Sequence, residues 1–383
     1  MTSNKLGNVL IRSDLNVPID NGSILDNFRI IKSIEYIKEL ESISENITFI
    51  SHLGRPNGID QSLSLKPVAE EMSNLLGQDV IFINKNIGIE IQNKLMKSKN
   101  NILLLENLRF DDGEVNNDDK FAKDLSMPFD TFILDAFGAA HREHASIVSI
   151  GKYLTSYQGP LMTKEVVELD KVLSETNEKF TIILGGAKVS DKLELIKNLL
   201  PRVDNLLLGG GMCFTFLKAL GHNIGKSICE DDFINPAIKI LESTDGKKIK
   251  LPLDFGVTKS IDEYTRLDID LYEFSEDDIG VDIGNKTVNI FKEILSDSKT
   301  IFWNGPMGIF EVDEFSFGTR SVTELISGLN VHTIVGGGDS VNAINKYSDI
   351  DKFNHISTGG GASLEYLEGK TLPGVNKYNH LIL

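Results

Sequence analysis

The sequence predicts an α/β protein with parallel sheets covered by helices on both faces, divided between two domains. Three observations predict it. Short apolar runs rich in Ile, Val and Leu recur along the 383 residues with stretches of helical length between them, the pattern of strands buried on both faces. There are ten such runs, too many for one sheet of ordinary size. Nearly every motif of unusual composition falls just after one of these runs, at the edge where open α/β sheets bind ligands.

The candidate strands are 9–13, 47–51, 80–83, 102–105 and 131–134 in the first half, and 181–184, 205–208, 300–303, 332–335 and 355–357 in the second. Between the two series, Gly159-Pro160-Leu161 starts a helix, because proline is tolerated in a first turn where its missing N–H has no partner. Met162, Val166, Leu169 and Leu173 then recur on one helical face. This helix is the expected linker, over 160–177, between a first domain starting at 1–159 and a second at 178–363.

The chain is 41% hydrophobic and 25% charged, ample for packed cores and long for one domain. Its net charge of −17 argues against nucleic acid or an anionic membrane as partner. An anionic ligand would therefore need a concentrated local basic site. Cys213 and Cys229 lack metal-type spacing and fit a reducing, cytoplasmic setting better than a disulfide framework. No long apolar run opens the sequence and none elsewhere reaches about 18 residues, so neither a signal peptide nor a transmembrane helix is expected.

Only eight of the 39 basic residues are arginine, and five of those precede residue 143, each inside a short motif. Arg12, Arg29, Arg55, Arg109 and Arg142 lie beside His, Asn and Gly, where the planar fork itself is called for: it binds carboxylate or phosphate bidentately, which lysine cannot do. With His52 they suit a small ligand bearing several negative groups, and Asp14 and Asn16 suit its hydroxyl. Asp14 also fits an ion pair with Arg12, and His144 fits either ligand contact or the core.

The second half carries glycines and lysines instead. Gly185-Gly186-Ala-Lys188, Gly209-Gly210-Gly211, Asn304-Gly305-Pro306, Gly336-Gly337-Gly338-Asp339 and Gly359-Gly360-Gly361 all follow candidate strands. Glycine permits backbone to approach a phosphate, and the helix starts after 339 and 361 would offer free N–H groups to it. Triple glycines also serve close packing and turns. Lys188 and Lys192, four apart, would share one face of a helix, either around an anion or as a solvated face. No P-loop and no complete dinucleotide fingerprint occurs. One edge for a small polyanion and another for a nucleotide suggest phosphoryl transfer, which asks for positioning and charge neutralisation.

These motifs, taken in order, resemble those of the phosphoglycerate kinase family. Arg12-Ser-Asp14-Leu-Asn16-Val-Pro, Ser-His52-Leu-Gly-Arg55-Pro, Glu-Asn-Leu-Arg109-Phe, Asp-Ala-Phe-Gly-Ala-Ala-His-Arg142, Gly-Gly-Ala-Lys188-Val-Ser-Asp-Lys192, Trp-Asn304-Gly-Pro-Met-Gly-Ile-Phe-Glu311, Gly-Gly337-Gly338-Asp339 and Ser-Thr-Gly-Gly-Gly361-Ala-Ser cover essentially the whole chain. The resemblance implies ATP + 3-phosphoglycerate ⇌ ADP + 1,3-bisphosphoglycerate in glycolysis, with Mg²⁺ on the nucleotide, in a cytoplasmic monomer. It implies two Rossmann-like domains joined by a hinge helix, with a tail, 364–383, returning to the N-terminal domain. Arg12, Asp14, Asn16, Arg29, His52, Arg55, Arg109 and Arg142 correspond to the phosphoglycerate site. Lys188, Lys192, Asn304, Glu311, Gly337, Gly338, Asp339 and Ser340 correspond to the nucleotide site, with Glu311 on the ribose and Asp339 placing the Mg²⁺. Arg29, Lys188, Gly338 and Gly361 would neutralise charge along the transfer path.

Several positions depart from the family pattern. The run before Arg12 is short, Ser13 and Leu15 replace an apolar and an aromatic residue, Ala139 stands where a small hydroxyl is common, Glu143 sits between Arg142 and His144, and Asn285 replaces a proline. None removes an expected ligand group. Three other readings compete: a nucleotide-binding scaffold without turnover, an NAD-dependent oxidoreductase, and a kinase for another small acid. A dead enzyme would have lost Arg29, Lys188 or Asp339, and all are present. The missing dinucleotide fingerprint opposes the second, and the eight positions of the phosphoglycerate set oppose the third.

Overall fold

The computed structural model describes residues 5–97, 99–174 and 179–382. The expected domain start at 1–4 and the end of the expected linker at 175–177 lie outside them, as does 178. The chain forms two units, Met1–Val167 with Thr371–Leu383, and Glu168–Lys370. The division falls inside the helix Pro160–Leu173, not at either end of it. On that helix Met162, Val166 and Leu169 are buried, as their spacing predicts.

The first unit is built on a seven-stranded sheet, and every pairing in it is parallel. Across the sheet the strands run Asn379–His380, Thr155–Gln158, Thr131–Asp135, Asn8–Ser13, Asn46–Ile50, Ile102–Leu105, Val80–Ile83. From Asn8–Ser13 the chain first builds to one side and then returns to Thr131–Asp135 on the other. The crevice between the carboxyl ends of these two strands is a topological switch point, where α/β sheets bind ligands. Val9, Ile11, Ile47, Phe49, Leu104 and Ile133 fill the core on one face. The last residues do return to this unit: Leu381 N donates to Gln158 O at 2.9 Å and Gly374 N to Ala140 O at 2.9 Å.

The second unit has a six-stranded parallel sheet ordered Ile249–Lys250, Asn205–Leu208, Phe180–Leu184, Thr300–Asn304, His332–Gly336, His355–Ile356. In chain order this is 3-2-1-4-5-6, the doubly wound arrangement, with its switch point between Phe180–Leu184 and Thr300–Asn304. Trp303, Phe291, Val322 and Ile344 pack in its core. A three-stranded antiparallel sheet, Leu267–Asp270, Asp254–Thr258 and Ile279–Ile283, is added beside it, and the sequence reading did not anticipate it. Asn285 is the first residue of the helix Asn285–Ser296, a position that tolerates proline or its absence alike. The Asp254 carboxylate caps that helix by accepting from Lys286 N and Thr287 N, each at 2.8 Å.

Candidate active-site half in each unit

In the first unit the loops at the switch point gather most of the predicted basic residues. Asp26 Oδ1 accepts from Phe28 N at 2.8 Å and fixes the start of the helix Phe28–Ile34, which carries Arg29. Arg29 Nη1 lies 3.1 Å from Asp14 Oδ2 and donates to Asn16 O at 3.1 Å. Asn16 Oδ1 accepts from Gly54 N at 2.8 Å, which ties the first loop to the one bearing His52 and Arg55. Asp14 therefore pairs with Arg29 and not with Arg12.

Asn107 was not singled out by the sequence, yet it organises the next loop. Its Oδ1 accepts from Leu53 N and Arg109 N, and its Nδ2 donates to Leu53 O and Leu63 O. Arg109 is thereby held with Nη1 on Gly54 O at 2.6 Å, while its Nε and Nη2 are buried with no partner. Burial first, then the charges of Arg142 and Arg12, lowers this guanidinium to about 10, still protonated at neutral pH. Arg142 is half-buried and Arg55 exposed on the same edge. Glu143 is exposed and does not pair with Arg142. His144 is buried with Nδ1 3.6 Å from Glu114 Oε1, which makes it a core histidine.

Arg12, expected at the phosphoglycerate site, is turned into the protein. It belongs to the central strand, paired with Ile50 on one side and Leu134 on the other, and it is 0% exposed. Its Nε donates to Ser146 Oγ at 3.0 Å, its Nη1 to Ser13 O at 2.5 Å, and its Nη2 faces His52 Nδ1 at 3.0 Å. The fork is engaged within the protein and orients His52. Desolvation, followed by the charges of Arg12, Arg109, Arg29 and Arg142, pushes the His52 imidazole well below its usual range, so it is neutral. Ala139 is buried, where a hydroxyl would need a partner. Ser13 Oγ, introduced by one departure, is buried without one.

In the second unit the lysine pair is not arranged as predicted. The helix starts only at Leu193, so Lys188 sits in an exposed loop and Lys192 at the N-cap. Lys192 is buried, with Nζ donating to Gly185 O at 2.5 Å and Asn304 O at 2.9 Å. These are the carbonyls at the ends of the two switch-point strands, whose negative ends the ammonium neutralises. Desolvation lowers Lys192 to about 8.

The glycine motifs divide into two kinds. At Gly185 and Gly305 a side chain would collide with Pro306 O and with the Gly185 backbone, so these glycines let two strand-end turns interlock. Gly186 N donates to Pro306 O and Gly210 N to Met307 O, each at 2.9 Å. Gly338 and Gly361 have open space where a Cβ would stand. Gly337, at φ 89°, turns the chain into the helix Gly338–Tyr347, whose N-terminus no side chain caps. That exposed end carries Asp339, while Ser340 is buried and accepts from Gly305 N at 2.7 Å. Asn304 is buried with its amide against Gly336 and Gly337.

A cavity of ≈ 450 Å³ opens beside these turns, lined by Gly186, Gly210, Gly211, Pro306, Met307, Gly308, Glu311 and Asp339. Its apolar wall is Phe214, Ile228, Phe255, Ile261 and Ile279. Sequence reasoning found the rim but missed this wall, part of which comes from the unanticipated antiparallel sheet. An apolar slot with glycine turns and an uncapped helix end at its rim is the form of a nucleotide pocket.

The chain matches the family described as phosphoglycerate kinase over residues 3–370. It is 49% identical to a phosphoglycerate kinase of Dictyoglomus turgidum, over 96% of this chain and 94% of that one. It is 46% identical to one of Finegoldia magna, over 96% of this chain and 95% of that one. In structure it is similar to the phosphoglycerate kinase from Coxiella burnetii, with a TM-score of 0.86 at 35% identity over 98% of this chain and 96% of that one. Similarity to the enzyme from Pyrococcus horikoshii reaches a TM-score of 0.85 at 32% identity, with the same coverage. The family match over residues 3–370, with similarity in sequence and structure over nearly the full length, makes the chain a member of the phosphoglycerate kinase family.

Proposed function

We propose that the chain catalyses reversible phosphoryl transfer between ATP and the carboxylate of 3-phosphoglycerate, giving ADP and 1,3-bisphosphoglycerate, as a glycolytic step. The observation that carries this reading is Arg109. Its two buried donors without a partner, in a cluster with Arg29, Arg55, Arg142 and a neutral His52, demand an anion with at least two acceptor oxygens. Asp14 and Asn16 then face the substrate hydroxyl. The nucleotide takes the cavity rimmed by Glu311, with its phosphates on the N-terminus of Gly338–Tyr347.

The chemistry asks for no general base, because a carboxylate nucleophile is already ionised at pH 7. What opposes reaction is the approach of two anions. Arg29 and the exposed Lys188 supply the charge that offsets it, and the open backbone at Gly338 and Gly361 presents N–H groups to the transferring oxygens. Lys192 acts one step back, by fixing the carbonyls that shape the turn. The transfer also calls for exclusion of water, which would otherwise take the phosphoryl group.

Among the described residues no group of three or more His, Cys, Asp or Glu could cage a metal. The exposed Asp339 at the rim of the nucleotide cavity fits Mg²⁺, which is commonly held by one or two carboxylates together with substrate phosphates. When bound, the ion would offset charge on the nucleotide. No helix among the described residues is long and apolar enough to cross a membrane. A monomer in the cytoplasm is the working assumption. A coupled assay with 3-phosphoglycerate, MgATP and a glyceraldehyde-phosphate dehydrogenase tests the reading. NADH loss dependent on all three supports it. No loss, with MgADP still bound in calorimetry, would favour a binding protein without turnover.

A further inference from the structure

We propose that Glu114 and Ser146 are positioning residues for the phosphoglycerate site: they pin the Arg12 guanidinium, which in turn holds His52 in the tautomer that donates from Nε2. What His52 donates to rests on the functional reading above. The chain of contacts stands without it.

Glu114, in the short helix Asp112–Val115, is 0% exposed. Its Oε2 accepts from Ser146 N at 2.9 Å and its Oε1 from Ser146 Oγ at 2.7 Å. With its proton directed to Glu114, Ser146 Oγ is left as an acceptor, and Arg12 Nε donates to it at 3.0 Å. Ser13 O holds Nη1 at 2.5 Å, so the fork is fixed on two sides and its remaining arm, Nη2, is aimed at His52 Nδ1, 3.0 Å away. A guanidinium only donates. His52 Nδ1 must therefore accept, and the single imidazole proton must sit on Nε2.

Glu114 has a second effect. Arg12 is a cation with no exposure, and the charge of Glu114 is the first of those that offset its burial. A buried pair of this kind contributes little net stability compared with apolar packing. What it supplies here is orientation, because it leaves Arg12 one direction in which to donate. Ala145 N also donates to Glu114 O at 2.9 Å, which ties the segment after Arg142 to the same glutamate.

The test compares Ser146→Ala, which removes only the bridging hydroxyl, with Ser146→Thr, which keeps it. Nitrogen-15 NMR of labelled histidine in the ligand-free protein should show His52 protonated at Nε2 alone in the parent and in Ser146→Thr, and a mixture of tautomers in Ser146→Ala. The KM for 3-phosphoglycerate should rise about tenfold in Ser146→Ala, the loss of roughly one hydrogen bond's worth of orientation, while kcat and the KM for MgATP stay within about twofold. If Ser146→Ala fails to fold, Glu114→Gln, which keeps the shape and removes the charge, takes its place. An unchanged His52 tautomer in the folded variant overturns the proposal. So does a changed tautomer with an unchanged KM for 3-phosphoglycerate. Absence of turnover with 3-phosphoglycerate in the parent would sink the functional reading instead, and the tautomer comparison would still decide the relay.

Discussion

Replacing Arg109 by methionine should make the ligand-free protein more stable and nearly abolish its affinity for 3-phosphoglycerate. Arg109 is 7% exposed, and its Nε and Nη2 are buried without partners. Two buried unsatisfied donors cost about 1–3 kcal/mol each, against about 1 kcal/mol gained from the bond to Gly54 O. Methionine keeps the volume and removes both liabilities, so a net gain of about 1–5 kcal/mol is expected. For a unit of this size that is a rise in Tm of roughly 2–20 °C. On the ligand side, two charge-assisted hydrogen bonds at about 1.5–3 kcal/mol each are lost, which is roughly two to four decades in Kd. Calorimetry of 3-phosphoglycerate binding and a thermal melt without ligand measure the two halves separately. A melt at or below that of the parent would show that the donors are satisfied in solution. Unchanged affinity would show that the fork faces something other than substrate.

Arg29→Ala should lower kcat at least a hundredfold, the usual scale for removing a donor aimed at developing charge, with an unchanged circular dichroism spectrum. Near-normal turnover would remove it from the transfer step. His52 is buried neutral, faced by Arg12, Arg109, Arg29 and Arg142, so the KM for 3-phosphoglycerate should show no His52 titration between about pH 6 and 8. On unfolding, His52 regains an ordinary pKa near 6.5 and binds a proton below it. It therefore makes the fold less stable as pH falls through that value, and His52→Gln should flatten this loss in urea titrations. Lys192 is lowered to about 8 when folded and returns to 10.5 when unfolded, so between those values the unfolded chain binds more protons and stability rises with pH. Lys192→Met should remove that rise, at most about 1.4 kcal/mol per pH unit, and a parent-minus-variant difference that does not grow from pH 8 to 10 would contradict it.

Much of the scaffold was legible because it is made of strands buried on both faces. Their apolar runs mark them within a residue or so: the run at 47–51 is the strand Asn46–Ile50, and 205–208 is Asn205–Leu208 itself. The strands that escaped notice lack that signal. Thr155–Gln158 is polar and partly exposed, and it is completed by the returning tail. Leu267–Asp270 alternates with aspartate, and Gly256 interrupts Asp254–Thr258. Because these last two are antiparallel additions, their loss hid the apolar wall of the nucleotide cavity. The site motifs were legible as residue types but not as roles. Arg12 reads like the other forks, and only its place in the central strand turns it inward. Lys188 and Lys192 read as a helical pair because nothing in the spacing shows that the helix waits until Leu193. Glu114 and Ser146 lie outside these motifs, and Asn107 sits inside Glu-Asn-Leu-Arg109-Phe without a role that the residue types announce. Their importance lies in hydrogen bonds across 32 to 134 residues of sequence, which no local pattern encodes.

The net charge of −17 and an anionic substrate are compatible because the two act over different distances. At physiological ionic strength exposed charges more than about 8 Å apart are largely screened, so the acidic surface does little at the arginine edge. What matters there is the local balance, and it is delicate. Arg109 is already lowered by burial and by its neighbours Arg142 and Arg12, so each further cation raises the cost of the empty site. A lysine as a further donor at this edge would add charge where the cluster least tolerates it. A histidine kept neutral by burial and by those same arginines donates a hydrogen bond and adds none. This requires its proton to be on the outward nitrogen, and the Arg12 arm on Nδ1 ensures that. Burial, reinforced by the arginine cluster, thus discharges His52. Removing any one arginine should therefore weaken binding through its own hydrogen bonds, while burial and the remaining arginines keep the imidazole neutral.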